Sequence, residues 1–302
     1  MYDIVIIGAG AAGLSAAIYA RRAEKTVLVL EAVTYGGQII NTLSIENYPG
    51  MYKVSGPEFS KALYTQAKEL GAEIEFEKVV GIRRADGNFT VETEDDTYLA
   101  AAVILATGTE YRKLGLPHEE ELTGRGVSYC ATCDGAFYRG QEVVVNGGGN
   151  TALYDAEYLA GVCKKVYLVH RRDQFRGDQS LVERIKRLQN VEIILNATIS
   201  ELLVSDDKKL KGVKLAFLDG SEREILAPGL FVAIGSTPNV GVFADLVDQD
   251  EGGYILADED CHTSCEGVFV AGDVRTSGLK QLVTATADGA RAATEAVNYC
   301  NR

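Results

Sequence analysis

The stretch DIVIIGAGAAGLSAAIYARRAEKTVLVLE, residues 3–31, decides the fold. Residues 4–7 are an unbroken apolar run, as expected for a strand buried on both faces. Gly8, Gly10 and Gly13 follow as G-x-G-x-x-G. The first two glycines permit a tight turn and close backbone approach to a pyrophosphate, and the third lets the helix pack on the strand. The helix start then turns free N–H groups toward phosphate. Residues 27–30 read as a second strand, and Glu31 after it can accept hydrogen bonds from ribose hydroxyls. A lone glycine motif is weak. With strand, helix, strand and acid around it, the unit reads as a dinucleotide site rather than a glycine-rich turn without a ligand.

The pattern recurs in EVVVNGGGNTALYDAEYLAGVCKKVYLVHRRDQFR, residues 142–176. A strand at 142–145 precedes Gly147, Gly149 and Ala152, and a second strand at 166–169 follows. Gly147 precedes His170 by the spacing with which Gly8 precedes Glu31. In register, the ribose-binding acid is replaced by His170, Arg171 and Arg172, with Arg176 a turn later. A carboxylate repels a 2′-phosphate, whereas guanidinium groups bind one through charge-assisted forked bonds. The first unit therefore suits a nucleotide with a free ribose and the second suits NADP(H). The plainer reading of HRRDQFR is a solvated basic strand end.

The second unit lies inside the chain. An apolar strand ending VILATG (103–108) precedes it, and LFVAIGS (230–236) and GVFVAGD (267–273) follow its nucleotide pattern. The last of these leads into an alanine-rich helix at 283–300. The expected fold is α/β, with two Rossmann-like domains, the second inserted into the first. The outer domain is predicted at 1–113 and 244–302, and the inner one at 114–243. The crossings near 109–113 and 238–243 are short enough to act as a two-strand hinge.

Composition narrows the function. The 302 residues are 46% hydrophobic, with 32 glycines and 5 prolines, which fits a large core with many tight turns. A net charge of −13 argues against nucleic acid, which needs a basic surface. It reads mainly as a solubility feature, and secondarily as steering of basic partners. No secretory signal opens the chain, and no apolar run reaches the roughly 18 residues of a membrane helix. A soluble cytoplasmic protein, with no membrane partner, is expected.

Six cysteines in a chain this long do not make a disulfide scaffold. Two of them, Cys130 and Cys133, stand in SYCATCDGAFY (128–138), directly before Asp134. A zinc site would need Cys261 and Cys265, which are spaced C-x-x-x-C and fall in the other predicted domain. No metal is therefore assigned. Cys163, Cys261, Cys265 and Cys300 read as small apolar residues, Cys163 and Cys300 on helices. A redox dithiol fits the pair better, because a helix start lowers one thiol pKa. Asp134 can carry a proton to or from the other sulfur. Its structural alternative is a helix N-cap or turn residue.

These motifs together resemble the low-molecular-weight thioredoxin reductases of bacteria, nearly end to end. The shared segments are Gly8–Gly13, GGQ at 36–38, ENYPG at 46–50, ATG at 106–108, GRGVSYCATCDG at 124–135, GGGNTA at 147–152, HRRDQFR and AGDV. CATCDG followed by HRR is highly specific. The resemblance implies FAD in the outer domain, NADPH in the inner one, a homodimer, and thioredoxin as protein substrate. It implies FAD contacts on Glu31 to Gln38, including Gly36 and Gly37, on Asn47 and Gly108, and on Asp273 through Lys280, Gln281 and Leu282. NADPH contacts are implied on Gly147, Gly149, Asn150, Thr151, His170, Arg171, Arg172 and Arg176. Cys133 would face the flavin, Cys130 would attack thioredoxin, and Asp134 would be the acid-base group. Both the dithiol and the nicotinamide site must reach one flavin, so the resemblance also implies that the inner domain turns between two states.

The chain departs from the family pattern at several positions. Tyr154-Asp155 stands where two acids are usual, Asn146 where an apolar residue is usual, and Lys280 where arginine is usual. Ala287 replaces a common glycine and Ser236 a common histidine. The competing functions are a related reductase with a ferredoxin-type donor, a dithiol oxidase, and a flavin-bound redox sensor without turnover. The retained Arg171, Arg172 and Arg176 favour the NADPH enzyme.

Overall fold

The computed structural model describes residues 1–302 apart from positions 43 and 86. The chain divides into two compact units, Met1–Glu110 with Thr237–Arg302, and Tyr111–Ser236.

The first unit opens with β1 (Tyr2–Ile7), α1 (Ala11–Arg22) and β2 (Val27–Leu30). Ile4, Val5 and Ile6 are fully buried, because both faces of β1 are covered. Each such side chain contributes roughly 1.5–3 kcal/mol. Next come α2 (Gly56–Glu69), β3 (Glu73–Glu75), β4 (Val79–Ala85), β5 (Asn88–Thr93) and β6 (Thr97–Leu105). The start of α2 is set by a capping box, in which Ser55 and Glu58 satisfy each other's backbone N–H groups. The strands order as β3-β2-β1-β6-β5-β4. The half of β6 beside β1 runs parallel to it, whereas β5 meets β6 antiparallel.

The chain leaves this unit through β7 (Thr109–Tyr111). The second unit contains α3 (Glu119–Leu122), β8 (Val127–Ser128), α4 (Ala131–Asp134), β9 (Glu142–Asn146) and α5 (Asn150–Ala160). It continues with β10 (Lys165–Val169), α6 (Gln179–Lys186), β11 (Val191–Ile194), β12 (Ala197–Val204), β13 (Leu210–Phe217), β14 (Glu222–Ile225) and β15 (Gly229–Val232). A parallel sheet orders as β11-β10-β9-β15-β8, and β12-β13-β14 form a separate antiparallel sheet.

The return strand β16 (Ser236–Pro238) pairs with β7. The crossings fall three residues before the predicted 113/114 and seven before the predicted 243/244. On the return side the reason is packing, since Val240, Phe243 and Val247 are buried in the core of the first unit. That unit closes with β17 (Val268–Val270), parallel to β6, and α7 (Leu282–Cys300). Helices α1 and α7 approach closely because their facing residues are small, with Ala12, Ala16, Ala292, Ala293 and Ala296 all buried. A Cβ on Gly289 would come within 2.1 Å of the Ala12 carbonyl oxygen, so this crossing admits only glycine. Among the described residues no helix is long and apolar enough to cross a membrane.

Candidate active site

The first unit builds a nucleotide cradle from the β1–α1 turn. Gly8 has φ +105°, and a Cβ there would lie 2.4 Å from the Ala106 carbonyl oxygen. Gly10 precedes α1 in extended conformation with no side-chain cap, so among the described residues the first-turn N–H groups carry no side-chain partner. Gly13 packs its helix turn against the Gly8 carbonyl. Glu31 ties this loop down from the end of β2: Oε2 accepts the Ala9 N–H at 2.8 Å and Oε1 the Val33 N–H at 3.0 Å. Each oxygen keeps lone pairs for a further donor.

The other predicted residues of this unit fall into three contacts. Gly36 and Gly37 start a short turn of helix opposite Gly10, with which Gly36 forms a bridge. Gln38 then donates to the Thr109 carbonyl, next to Gly108. Asn47 donates to Gln281 Oε1 at 3.0 Å, and Gln281 itself caps α7, whose first residue is Leu282. Lys280 donates to the Asp273 and Arg275 carbonyls and lies 3.9 Å above the Tyr254 ring centre. Burial holds its ammonium below the usual lysine range, against the pull of Asp273. Burial likewise raises the Asp273 carboxyl, with Lys280 opposing. Among the described residues the Asp273 carboxylate accepts no hydrogen bond. A bare glycine turn, a tethered acid at the end of β2 and an unused carboxylate after β17 fit a bound dinucleotide.

Beneath this cradle is a pair of residues with no motif to announce them. Arg275 and Asp288 form a buried ion pair at 3.0 Å. The other Asp288 oxygen accepts the Gly272 N–H at 3.3 Å, and Arg275 Nη2 donates to the Asp258 carbonyl at 2.7 Å. The pair fastens α7 to the turn that carries Asp273.

In the second unit, the glycine turn 147–149 is equally tight. A Cβ on Gly147 would meet the Ala233 carbonyl at 2.3 Å, and one on Gly148 would strike the His170 ring at 2.1 Å. Asn150 starts α5 and exchanges hydrogen bonds with Asp178, while Thr151 stays exposed. The Arg176 N–H donates to the Gly148 carbonyl at 2.7 Å, folding the basic segment over the turn. His170 departs from the predicted basic cluster. It is buried against Gly148 and Phe175, and burial lowers its pKa, so it shapes the turn as a neutral ring. Arg171, Arg172 and Arg176 are exposed, and among the described residues their guanidinium groups have no hydrogen-bond or ion-pair partner. Arg171 and Arg172 line a cavity of about 680 Å³ with Asn196, Phe217 and Leu218.

The dithiol stands on the same unit. Cys130 and Cys133 are joined as a disulfide, with Cα atoms 5.3 Å apart. Cys130 is the N-cap of α4, and the Cys133 N–H donates to its Sγ at 3.3 Å. This helix has a single turn, so the sulfur meets the Cys133 N–H, with the Thr132 hydroxyl 3.5 Å away, rather than a long helix dipole. Asp134 ends α4 and holds the N-cap position of the short 3-10 turn Gly135–Tyr138, without a side-chain cap bond. Its carboxyl is raised by burial and lowered by a 2.6 Å hydrogen bond from the Ser128 hydroxyl. Ser128 therefore joins the site, although the sequence offers only its place two residues before Cys130. Asp155 on α5 has no hydrogen bond or ion pair among the described residues, and burial pushes it up to about 7. Cys163 lies in the turn after α5 rather than on the helix.

Residues 2–289 match the family of pyridine nucleotide-disulphide oxidoreductases. The thioredoxin reductase of Listeria monocytogenes is 44% identical over 300 residues, spanning 99% of this chain and 94% of its own. That of Bacillus subtilis is 41% identical over 299 residues, spanning 99% and 95%. The crystal structure of thioredoxin reductase from Streptococcus pyogenes superposes with a TM-score of 0.95 at 41% identity, covering 100% of this chain and 98% of its own. The chain belongs to the pyridine nucleotide-disulphide oxidoreductases, on their thioredoxin reductase branch. It is an oxidoreductase, and membership implies a flavin and a pyridine nucleotide.

Proposed function

We propose that this chain is an NADPH-dependent thioredoxin-disulfide reductase, a cytoplasmic homodimer that binds FAD in its first unit and NADPH in its second. The observation that carries the reading is the Cys130–Cys133 disulfide with the partly buried Asp134 beside it. A bound FAD would supply the chemistry that links hydride donation by a nicotinamide to two-electron reduction of a disulfide. The chain's own residues do the rest. Gly8, Gly10, Gly13, Glu31, Gly36, Gly37, Gln38, Asn47, Gly108, Asp273, Lys280, Gln281 and Leu282 hold or frame the flavin nucleotide. Gly147, Gly149, Asn150 and Thr151 cradle the second pyrophosphate, and His170 shapes that turn. Arg171, Arg172 and Arg176 take the 2′-phosphate, and their unpaired state favours this donor over a ferredoxin-type one.

In the reduced dithiol, the Cys130 thiolate attacks one sulfur of the thioredoxin disulfide. A mixed disulfide forms, and the departing thioredoxin thiolate takes a proton. Cys133, deprotonated in its turn, attacks Cys130 Sγ. The internal disulfide reforms and the second thioredoxin thiolate is released. Asp134 moves the protons that these steps require. The test is an anaerobic assay with NADPH and thioredoxin, alongside Cys133→Ser. The variant is expected to trap a mixed disulfide through Cys130. Wild-type turnover by Cys133→Ser or Cys130→Ser would sink the reading.

A further inference from the structure

Glu119 opens α3 with 2% of its surface exposed. Its Oε1 accepts the Leu114 N–H and the Tyr129 hydroxyl, each at 2.8 Å. Its Oε2 accepts the Gly115 N–H at 2.8 Å and the Leu116 N–H at 3.4 Å. Among the described residues no cation pairs with it. A carboxylate buried this far needs donors on both oxygens, and four converge here.

The placement of those donors matters more than their number. Leu114, Gly115 and Leu116 follow β7 closely, where the chain enters the second unit. Tyr129 directly precedes Cys130. The Tyr129 ring also lies flat on Tyr111, the last residue of β7, with centroids 5.1 Å apart and planes 10° from parallel. One carboxylate and one ring stack therefore fasten the entry strand to the residue beside the dithiol. The strand between them is weak by itself. β8 has two residues, lies at the sheet edge, and pairs with β15 through Val127 with Leu230 and Ser128 with Phe231, with one further bridge from Val127 to Thr123. Such an edge holds little without an added anchor.

We infer that Glu119 is a positioning residue for the dithiol: through Tyr129 it locks Cys130 to the chain's entry point. On the proposed reductase function, motion at the entry strand carries the dithiol with it undistorted. The lock also keeps Cys130 over the Cys133 N–H that stabilises its thiolate.

Tyr129→Phe tests this gently, because it deletes one hydroxyl and leaves the ring stack and three N–H bonds on Glu119. Glu119→Gln is the stronger variant. With Tyr129→Phe, flavin reduction by NADPH should stay near wild type. The kcat for thioredoxin should fall about tenfold, the worth of one hydrogen bond to a charged group, with KM for thioredoxin unchanged. In protein reduced with dithiothreitol, the pH midpoint for alkylation of Cys130 by iodoacetamide should move upward. That last measurement needs neither nucleotide nor thioredoxin, so it decides the inference even if wild type fails to reduce thioredoxin and the proposed function falls. A lower melting temperature with an unmoved alkylation midpoint would show a merely structural role and overturn the inference. So would an equal loss in flavin reduction and thioredoxin reduction.

Discussion

The Ser128 hydroxyl donates to the Asp134 carboxylate at 2.6 Å, across the base of the one-turn helix that holds the dithiol. Burial raises the Asp134 carboxyl and this bond pulls it partly back. Asp134 therefore keeps its proton to higher pH than an ordinary aspartate and can still release it. Ser128→Ala removes the lowering contribution, so the carboxyl should rise further. The pH profile of thioredoxin reduction should then shift its Asp134-dependent limb upward. Asp134→Asn should erase that limb and slow turnover by about 10²–10⁴-fold while keeping the flavin. An unchanged profile in Ser128→Ala would separate the serine from the chemistry.

The three unpaired guanidinium groups at the end of β10 make a second expectation. Each charged hydrogen bond to a 2′-phosphate should contribute on the order of 1–3 kcal/mol. Arg171→Ala with Arg172→Ala should raise KM for NADPH far more than KM for NADH. Steady-state kinetics with both nucleotides checks it. Equal use of the two by wild type counts against the assignment.

Asp155 should cost stability at neutral pH. Its folded pKa of about 7 lies above the usual 3.8, so the folded state holds the proton more tightly. Below about pH 4 both states are protonated and no penalty exists; as pH rises through about 7 the full penalty appears. Asp155→Asn should therefore stabilise the protein at pH 8, by on the order of 1–4 kcal/mol, and leave it unchanged near pH 4. Urea melts at the two pH values read the difference. The same gain at both would mean that the effect is not titration.

The Arg275–Asp288 pair should behave in the opposite way. Its members are buried, and Arg275 Nε already lacks a partner among the described residues. Removing one member strands the other charge, at about 3–5 kcal/mol. Asp288→Ala should lower the urea midpoint and also weaken flavin retention, because the Gly272 N–H loses its acceptor. Flavin released on gel filtration, compared with wild type, reports the second effect. A destabilised protein that holds flavin as tightly as wild type would confine the pair to folding.

The sequence determined the outline because its signals are local. An apolar run, a G-x-G-x-x-G turn and a spaced acid lie within one β-α-β unit, and backbone sterics leave that pattern few other folds. The repetition of the spacing gave the second unit, and C-x-x-C before Asp134 gave the dithiol. Contacts between distant segments are different, since no periodicity records which buried side chain meets which. Glu119 meets Tyr129 across α3 and the edge strand, and Asp288 reaches back from α7 to Gly272 and Arg275. His170 reads as a basic ligand by register, yet the absence of a side chain at Gly148 lets its ring turn inward and lose its charge. Only the tertiary structure decided these, because burial and donor geometry are set by the packing of whole elements, and the same residue exposed would play another part.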